Sequence, residues 1–216
     1  MKSNYTDITI VLDRSGSMET IANDTIGGFN RFIEDQKKVS GTATLTLRQF
    51  DDCHDVVIDA KDIQQTPALH RGTFVPRGMT ALLDAIGMGI KATGERLGSM
   101  PEHDRPEKVV FVIITDGAEN ASREYTLARV NDMIKLQRET YKWEFVFLGA
   151  NIDAVTVATS MGIAVANSIQ YAANSKGTTA VFASASANLC SYRASASRSM
   201  AFTSDDHQKQ AAAVTP

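Results

Sequence analysis

Three short apolar runs constrain this chain's fold more than any other feature. Ile8–Leu12 (ITIVL), Val109–Ile114 (VVFVII) and Phe145–Leu148 (FVFL) carry no charged residue and, apart from Thr9, no polar one, as expected of strands covered on both faces. Between them lie segments whose apolar residues recur three to four apart: Ile21, Phe29 and Phe32 with Thr25 and Gln36; Leu83, Ile86, Ile90 and Leu97; Leu127, Val130, Met133 and Ile134. Strand and helix therefore alternate. The expected architecture is α/β: a doubly wound, mostly parallel sheet with helices on both faces, Rossmann-like in outline. Thr42–Phe50 (TATLTLRQF) alternates with period two, and Val56-Val57-Ile58 follows it across the polar turn Asp51–Asp55. So short a connection joins only antiparallel strands, which places one antiparallel strand at an edge.

Finer expectations follow from local signals. Gly27 and Gly28 weaken a helix and suggest close approach to the sheet. Ser122 is placed to cap the helix carrying Leu127–Ile134, and Asp153 a short helix closed by Gly162. Residues 61–79, with Pro67, Gly72, Pro76 and Gly78, read as a loop or very short elements. Ile163–Val165 reads as a weak last strand, and Phe182, Ala185, Leu189 and Tyr192 as a final helix. Residues 1–200 are expected to form one domain and residues 201–216 a loose tail.

Composition excludes several classes. The 216 residues are 43% hydrophobic and 22% charged, which is too apolar for a disordered chain. With 22 Lys+Arg against 25 Asp+Glu the net charge is −3, the wrong sign for nucleic-acid binding through bulk electrostatics. No apolar run approaches the roughly 18–20 residues of a membrane span. The N-terminal segment lacks an export-signal pattern. Cys53 and Cys190 stand far apart and read as two free thiols. A cytoplasmic protein, without a nucleic-acid or membrane partner, is the expectation.

Two of the apolar runs end in an acid. The first leads into Asp13-Arg14-Ser15-Gly16-Ser17, the second through Thr115 into Asp116-Gly117. In a doubly wound sheet, ligands sit beyond the carboxyl ends of the strands. Two carboxylates converging there repel each other and are costly to bury, and a divalent cation removes both problems. Ser15, Ser17 and Thr80, which follows Gly78-Met79, add hydroxyls. The set Asp13, Ser15, Ser17, Thr80 and Asp116 is all oxygen, which suits Mg²⁺, with Mn²⁺ as the alternative, and disfavours zinc or copper. Neutral hydroxyls leave the ion electrophilic, with an open position that suits a carboxylate from another molecule.

This pattern resembles the metal-ion-dependent adhesion site of von Willebrand factor type A domains. The motif Asp13-x-Ser15-x-Ser17, a later Thr80 and Asp116-Gly117 match it without substitution. The resemblance covers about residues 5–195. It is strongest to compact stand-alone bacterial and phage members, through stretches such as Pro76-Arg-Gly-Met-Thr-Ala-Leu-Leu-Asp84 and Ile114-Thr-Asp-Gly-Ala-Glu-Asn-Ala-Ser122. It implies a Mg²⁺ site whose open position accepts an Asp or Glu of a protein partner, and a domain that is not an enzyme. Arg14, Met79, Glu119 and Asn120 flank the ligands and are expected to form the rim that reads that partner.

Other readings exist. The domain can be a structural or adhesive part of a phage particle or other large assembly. A metal-dependent phosphohydrolase using Asp13 as nucleophile is less well supported, because the position two residues on, where a general acid is needed, is Ser15. The acids Asp51, Asp52 and Asp55 beside His54 read as a hydrated hairpin turn before a second cation site.

Overall fold

The computed structural model describes residues 1–214, and each of the three apolar runs is a strand in it. The elements, in chain order, are β1 (Lys2–Asp13), α1 (Ala22–Lys37), β2 (Thr42–Phe50), β3 (His54–Asp62), α2 (Leu82–Ser99), β4 (Pro106–Thr115), α3 (Leu127–Tyr141), β5 (Glu144–Ala150), α4 (Ala154–Ser160), β6 (Ser168–Tyr171), α5 (Ser175–Arg193) and α6 (Ser204–Val214). The strands form one sheet in the order β3-β2-β1-β4-β5-β6. All neighbours are parallel except β2 and β3. The antiparallel strand therefore lies at an edge, as the short polar turn requires.

Side-chain alternation divides the core in two. Ile8, Ile10 and Leu12 of β1, Val110, Val112 and Ile114 of β4, and Val146, Leu148 and Ala150 of β5 face α1 and α5. Val11, Phe111, Ile113, Phe145 and Phe147 face α2, α3 and α4. Largely apolar runs follow from a sheet buried on both sides, and the buried Thr9 within the first is paired with the Thr93 hydroxyl at 3.1 Å. No helix among the described residues is long and apolar enough to cross a membrane. Both cysteines are free, Cys53 exposed and Cys190 half-buried.

Four local expectations are corrected. Gly28 meets a helix and not the sheet: a Cβ there would lie 2.5 Å from Cδ2 of Phe182 in α5, while Gly27 faces open space. Thr126, whose hydroxyl accepts from the Arg129 amide at 3.2 Å, caps α3; Ser122 is engaged elsewhere. The last strand is Ser168–Tyr171, and Val165–Asn167 is a 3-10 turn. The segment expected to fray contains α6. Asp206 accepts from the Thr203 amide and hydroxyl at 2.8 Å each, the Thr203 hydroxyl accepts from the Asp206 amide at 3.3 Å, and Ala213 is buried. This reciprocal cap, with Phe202 buried just ahead of it, orders a segment whose composition alone looked too polar and small to pack. By contrast, Asp153 does cap α4, and Gly162, at φ 84°, ends it.

The order of strands positions the site. From β1 the chain moves one way to β2 and β3, then returns to the other side of β1 with β4. The carboxyl ends of β1 and β4 are thus adjacent at the point where the winding reverses, the place where open α/β sheets bind ligands.

Candidate metal centre

Asp13 ends β1 and Asp116 follows the last residue of β4. In register, Asp13 lies one residue beyond the Leu12–Ile114 pair, so both acids reach the same edge of the sheet. Asp13 is fully buried and Asp116 nearly so. Its own backbone fixes the first of them: Oδ1 of Asp13 accepts from the Ser15 amide at 2.6 Å, and Oδ2 accepts from the Thr115 hydroxyl at 2.6 Å. Thr115 also accepts from the Gly117 amide at 3.2 Å, so one hydroxyl ties the end of β1 to the turn after β4.

The serines link the two acids. After Ser15 the chain enters a 3-10 turn, Gly16–Ile21, which brings the hydroxyls of Ser15 and Ser17 to 3.0 Å from each other. Ser17 donates to Oδ1 of Asp116 at 2.6 Å. Its one proton is thereby used, so the Ser15 hydroxyl supplies the proton between the serines. Thr80 enters from the loop before α2. It is buried, and its Oγ1 lies 3.3 Å from the point where a Cβ on Gly117 would sit; Ser17 Oγ lies 3.6 Å from that point. The glycine after Asp116 therefore leaves room on the side where two of the hydroxyls converge.

Electrostatics set the chemistry. Burial raises the Asp13 carboxyl from its ordinary 3.8 to about 6, against the lowering effect of the Thr115 hydroxyl and the Ser15 amide, and the charge of Asp116 adds to the rise. Burial also raises Asp116, against its bond from Ser17. Among the described residues neither acid pairs with a lysine or arginine. Arg14, adjacent to Asp13, turns instead to Asp51 and Asp55. Two buried carboxylates and three neutral hydroxyls, with no organic cation among them, are a donor set suited to a hard divalent ion.

Two side chains expected at the rim, Arg14 and Glu119, are engaged within the fold, and a third, Asn120, is engaged through its Oδ1. Arg14 is only 7% exposed and committed to Asp51 and Asp55. Glu119 accepts from the Leu83, Ala121 and Ser122 amides and the Ser122 hydroxyl, between 2.7 and 2.9 Å, and so anchors the start of α2. Asn120 is exposed at its edge, but its Oδ1 accepts from the Thr80 amide at 2.8 Å and its own amide donates to the Thr80 carbonyl at 3.0 Å. It positions Thr80. Met79 is half exposed. The sequence pattern marks residues near the ligands, but not which of them the backbone amides consume.

The sequence does not single out Thr115 or Asp51 as builders of this site, and it leaves Asp84, on the helix after Thr80, open between supporting the ligands and pairing with a lysine. Asp84 accepts three backbone amides, from Arg123, Glu124 and Tyr125, at 2.7–2.9 Å, which locks the loop after Asp116 onto α2. Asp51, Asp52 and Cys53 offer ligand atoms within 4.8 Å of one another. Asp51, however, is already neutralised by Arg14 and Arg77, so this cluster is an ion-paired hairpin turn. Thr115 has a readable signal, as a polar residue ending an apolar run beside a candidate ligand.

No protein-family model matches the sequence, and no curated protein matches it. Solved structures do. Proximal thread matrix protein 1 (PTMP1) from the mussel byssus matches with a TM-score of 0.59 at 16% identity, over 86% of this chain and 46% of its own. A second structure of it, with a zinc occupied MIDAS motif, gives 0.58 at 15% over the same shares. The vWF domain of the type V pili tip protein Mfa5 from Porphyromonas gingivalis gives 0.58 at 10%, over 85% of this chain and 94% of that one. The chain has the von Willebrand factor type A fold. Manganese-loaded Plasmodium vivax TRAP, matched at 0.51 and 20% identity over 69% of this chain and 58% of its own, has a type A fold in common with it. The chain spans less than half the length of PTMP1. Within this type A fold the ligand candidates come from three places: the end of β1, the loop entering α2 and the end of β4.

Proposed function

We propose that this domain is a divalent-cation-dependent protein-binding module. Asp13, Ser15, Ser17, Thr80 and Asp116 would hold Mg²⁺ or Mn²⁺, and an acidic side chain of a partner protein would complete the coordination. The observation that carries the reading is the pair of buried carboxylates at the switch point, bridged by serines and lacking any side-chain cation. When bound, the ion supplies an electrophilic position for an oxygen ligand. The residues do the rest. The Ser15 amide and Thr115 hold Asp13 in one orientation, Asn120 holds Thr80, and Gly117 leaves the convergence point open.

The relatives support this reading by what their names state. PTMP1 is a thread matrix protein seen with zinc in its MIDAS motif, TRAP has been seen loaded with manganese, and Mfa5 is a pilus tip protein. Hydrolysis is less well supported, because both oxygens of Asp13 are held by Ser15 and Thr115 and the next candidate acid position is a serine.

The test is calorimetric titration of chelator-treated protein with Mg²⁺ and with Mn²⁺. One site is expected. Asp13→Ala and Asp116→Ala should weaken it by more than about 100-fold, in line with the loss of ligands themselves and not merely their supports, while far-UV circular dichroism stays unchanged. Acetate added to the Mn²⁺-loaded protein should displace bound water and lower the relaxation enhancement of water protons. Wild-type protein that takes up neither ion, or variants that bind as wild type does, would remove the proposal.

A further inference from the structure

Two arginines flank the ligands in sequence. Arg14 lies between Asp13 and Ser15, and Arg77 three residues before Thr80. Arginine is the side chain best shaped to pair with carboxylates, and Asp13 and Asp116 are buried carboxylates that no side-chain cation among the described residues pairs with. A guanidinium folded onto Asp13 or Asp116 would neutralise the centre from within and compete with any cation.

Both guanidinium groups are instead held elsewhere. Oδ2 of Asp51 accepts from Nε of Arg14 at 3.1 Å and from Nε of Arg77 at 2.8 Å. Nη2 of Arg14 lies 2.6 Å from Oδ2 of Asp55, an ion-pair contact without hydrogen-bond alignment, and Nη2 of Arg77 lies 3.9 Å from the same oxygen. Asp51 is fully buried and cannot swing. Its Oδ1 accepts from the Cys53 amide at 2.6 Å, and its carbonyl accepts from the Ala81 amide at 2.9 Å. The loops bearing the arginines are joined as well, by Arg77 N–H to the Arg14 carbonyl at 2.8 Å and Gly16 N–H to the Gly78 carbonyl at 3.3 Å.

We propose that Asp51 is a positioning residue for the metal centre: by holding Arg14 and Arg77 on the hairpin side, it keeps Asp13 and Asp116 available to a divalent cation. This rests on the reading of that centre as a cation site. It gives a function to an acidic turn that otherwise looks like solvated surface. It also explains why a cation sits between two ligands of the motif without quenching it.

Calorimetric titration with Mg²⁺ and Mn²⁺ tests it on four proteins: wild type, Asp51→Asn, the triple variant Asp51→Asn/Arg14→Gln/Arg77→Gln, and Asp55→Asn. Asp51→Asn should lose at least about tenfold in affinity for both ions. The triple variant should return to within about threefold of wild type, because the competing cations are gone. A purely structural role for Asp51 predicts that the triple variant stays as weak as Asp51→Asn or weaker, and that result would overturn the proposal. So would wild-type affinity in Asp51→Asn. Asp55 is half exposed, so Asp55→Asn carries the test if Asp51→Asn does not fold: about threefold weaker binding supports the proposal, and unchanged binding overturns it. Wild-type protein that binds neither ion overturns the underlying reading instead, and that arm is read first.

Discussion

At the scale of single residues, the centre is defined by a conflict between burial and charge. Asp13 carries its proton to about pH 6 because burial outweighs the two hydrogen bonds that favour its charge. The folded protein therefore binds that proton more tightly than the unfolded chain does. In the absence of metal, the stability contributed by Asp13 is greatest below about pH 4 and falls as pH rises towards 6, leaving a penalty of about 3 kcal/mol at neutral pH. A cation reverses the sign, since ligands bind it deprotonated, so stabilisation by Mg²⁺ should grow across the same window. Asp13→Asn carries no charge and no such penalty. Allowing about 1 kcal/mol for a bond from Ser15 or Thr115 that the amide cannot accept as well, the variant should be more stable than wild type by about 2 kcal/mol at pH 7 in chelator. It should gain nothing from Mg²⁺. Urea denaturation at several pH values, with and without the ion, checks both statements. Parallel pH profiles for the two proteins would refute them. Two of the five ligand candidates, Asp13 and Asp116, stand out because an acid ending an apolar run is anomalous in sequence, and the three hydroxyl residues stand out only by their place beside them. Arg14 as a rim residue was misread because its commitment to Asp51 depends on a hairpin 37 residues away.

At the scale of elements, the glycines of α1 separate local propensity from packing. Both weaken the helix, and the sequence treats them alike. In the fold a Cβ on Gly28 would collide with Phe182, and one on Gly27 would touch nothing within 4 Å. Gly27→Ala should thus stabilise by about 0.5–1 kcal/mol through helix propensity alone. Gly28→Ala gains the same propensity but forces the Phe182 ring out of place, at about 1–3 kcal/mol, so its net effect should be destabilising. Chemical denaturation of the two variants decides the matter, and equal shifts would show that α1 and α5 do not meet as described. The long strands and α2 were readable from their periods, because burial on two faces or on one stripe leaves a repeating mark. Other boundaries were not. The α3 cap moved from Ser122 to Thr126 because Ser122 bonds Glu119 and the Asp84 amide. The last strand moved to Ser168–Tyr171 because four residues are too few to show a period.

At the scale of the whole molecule, the sheet separates the candidate ligands from the parts that only support the fold. The ligand candidates lie on β1, on β4 and on the loop entering α2, at the middle of the sheet, while α6 packs on α5 and the edge strand β6. That arrangement was invisible in a polar, alanine-rich segment, whose order comes from the Thr203–Asp206 cap, the bond from the Asn174 side chain to the Ala213 carbonyl at 3.0 Å, and Phe202 packed in the core. It makes stability and cation affinity separable. Phe202→Ala removes a large buried side chain and should cost about 3 kcal/mol or more. Because Phe202 belongs to the core layer under α5 and bonds through its backbone to Ala166, the ligand loops lose no hydrogen bond. The folded fraction should then bind Mg²⁺ within about twofold of wild type. By mass action, a concentration 100 times the dissociation constant stabilises wild type and variant alike by about 2.7 kcal/mol. Denaturant melts of both proteins at zero and saturating Mg²⁺ measure the two increments. Equal increments on unequal baselines are the expected result; a variant that lost its increment along with its stability would show that the far side of the sheet reaches the centre after all.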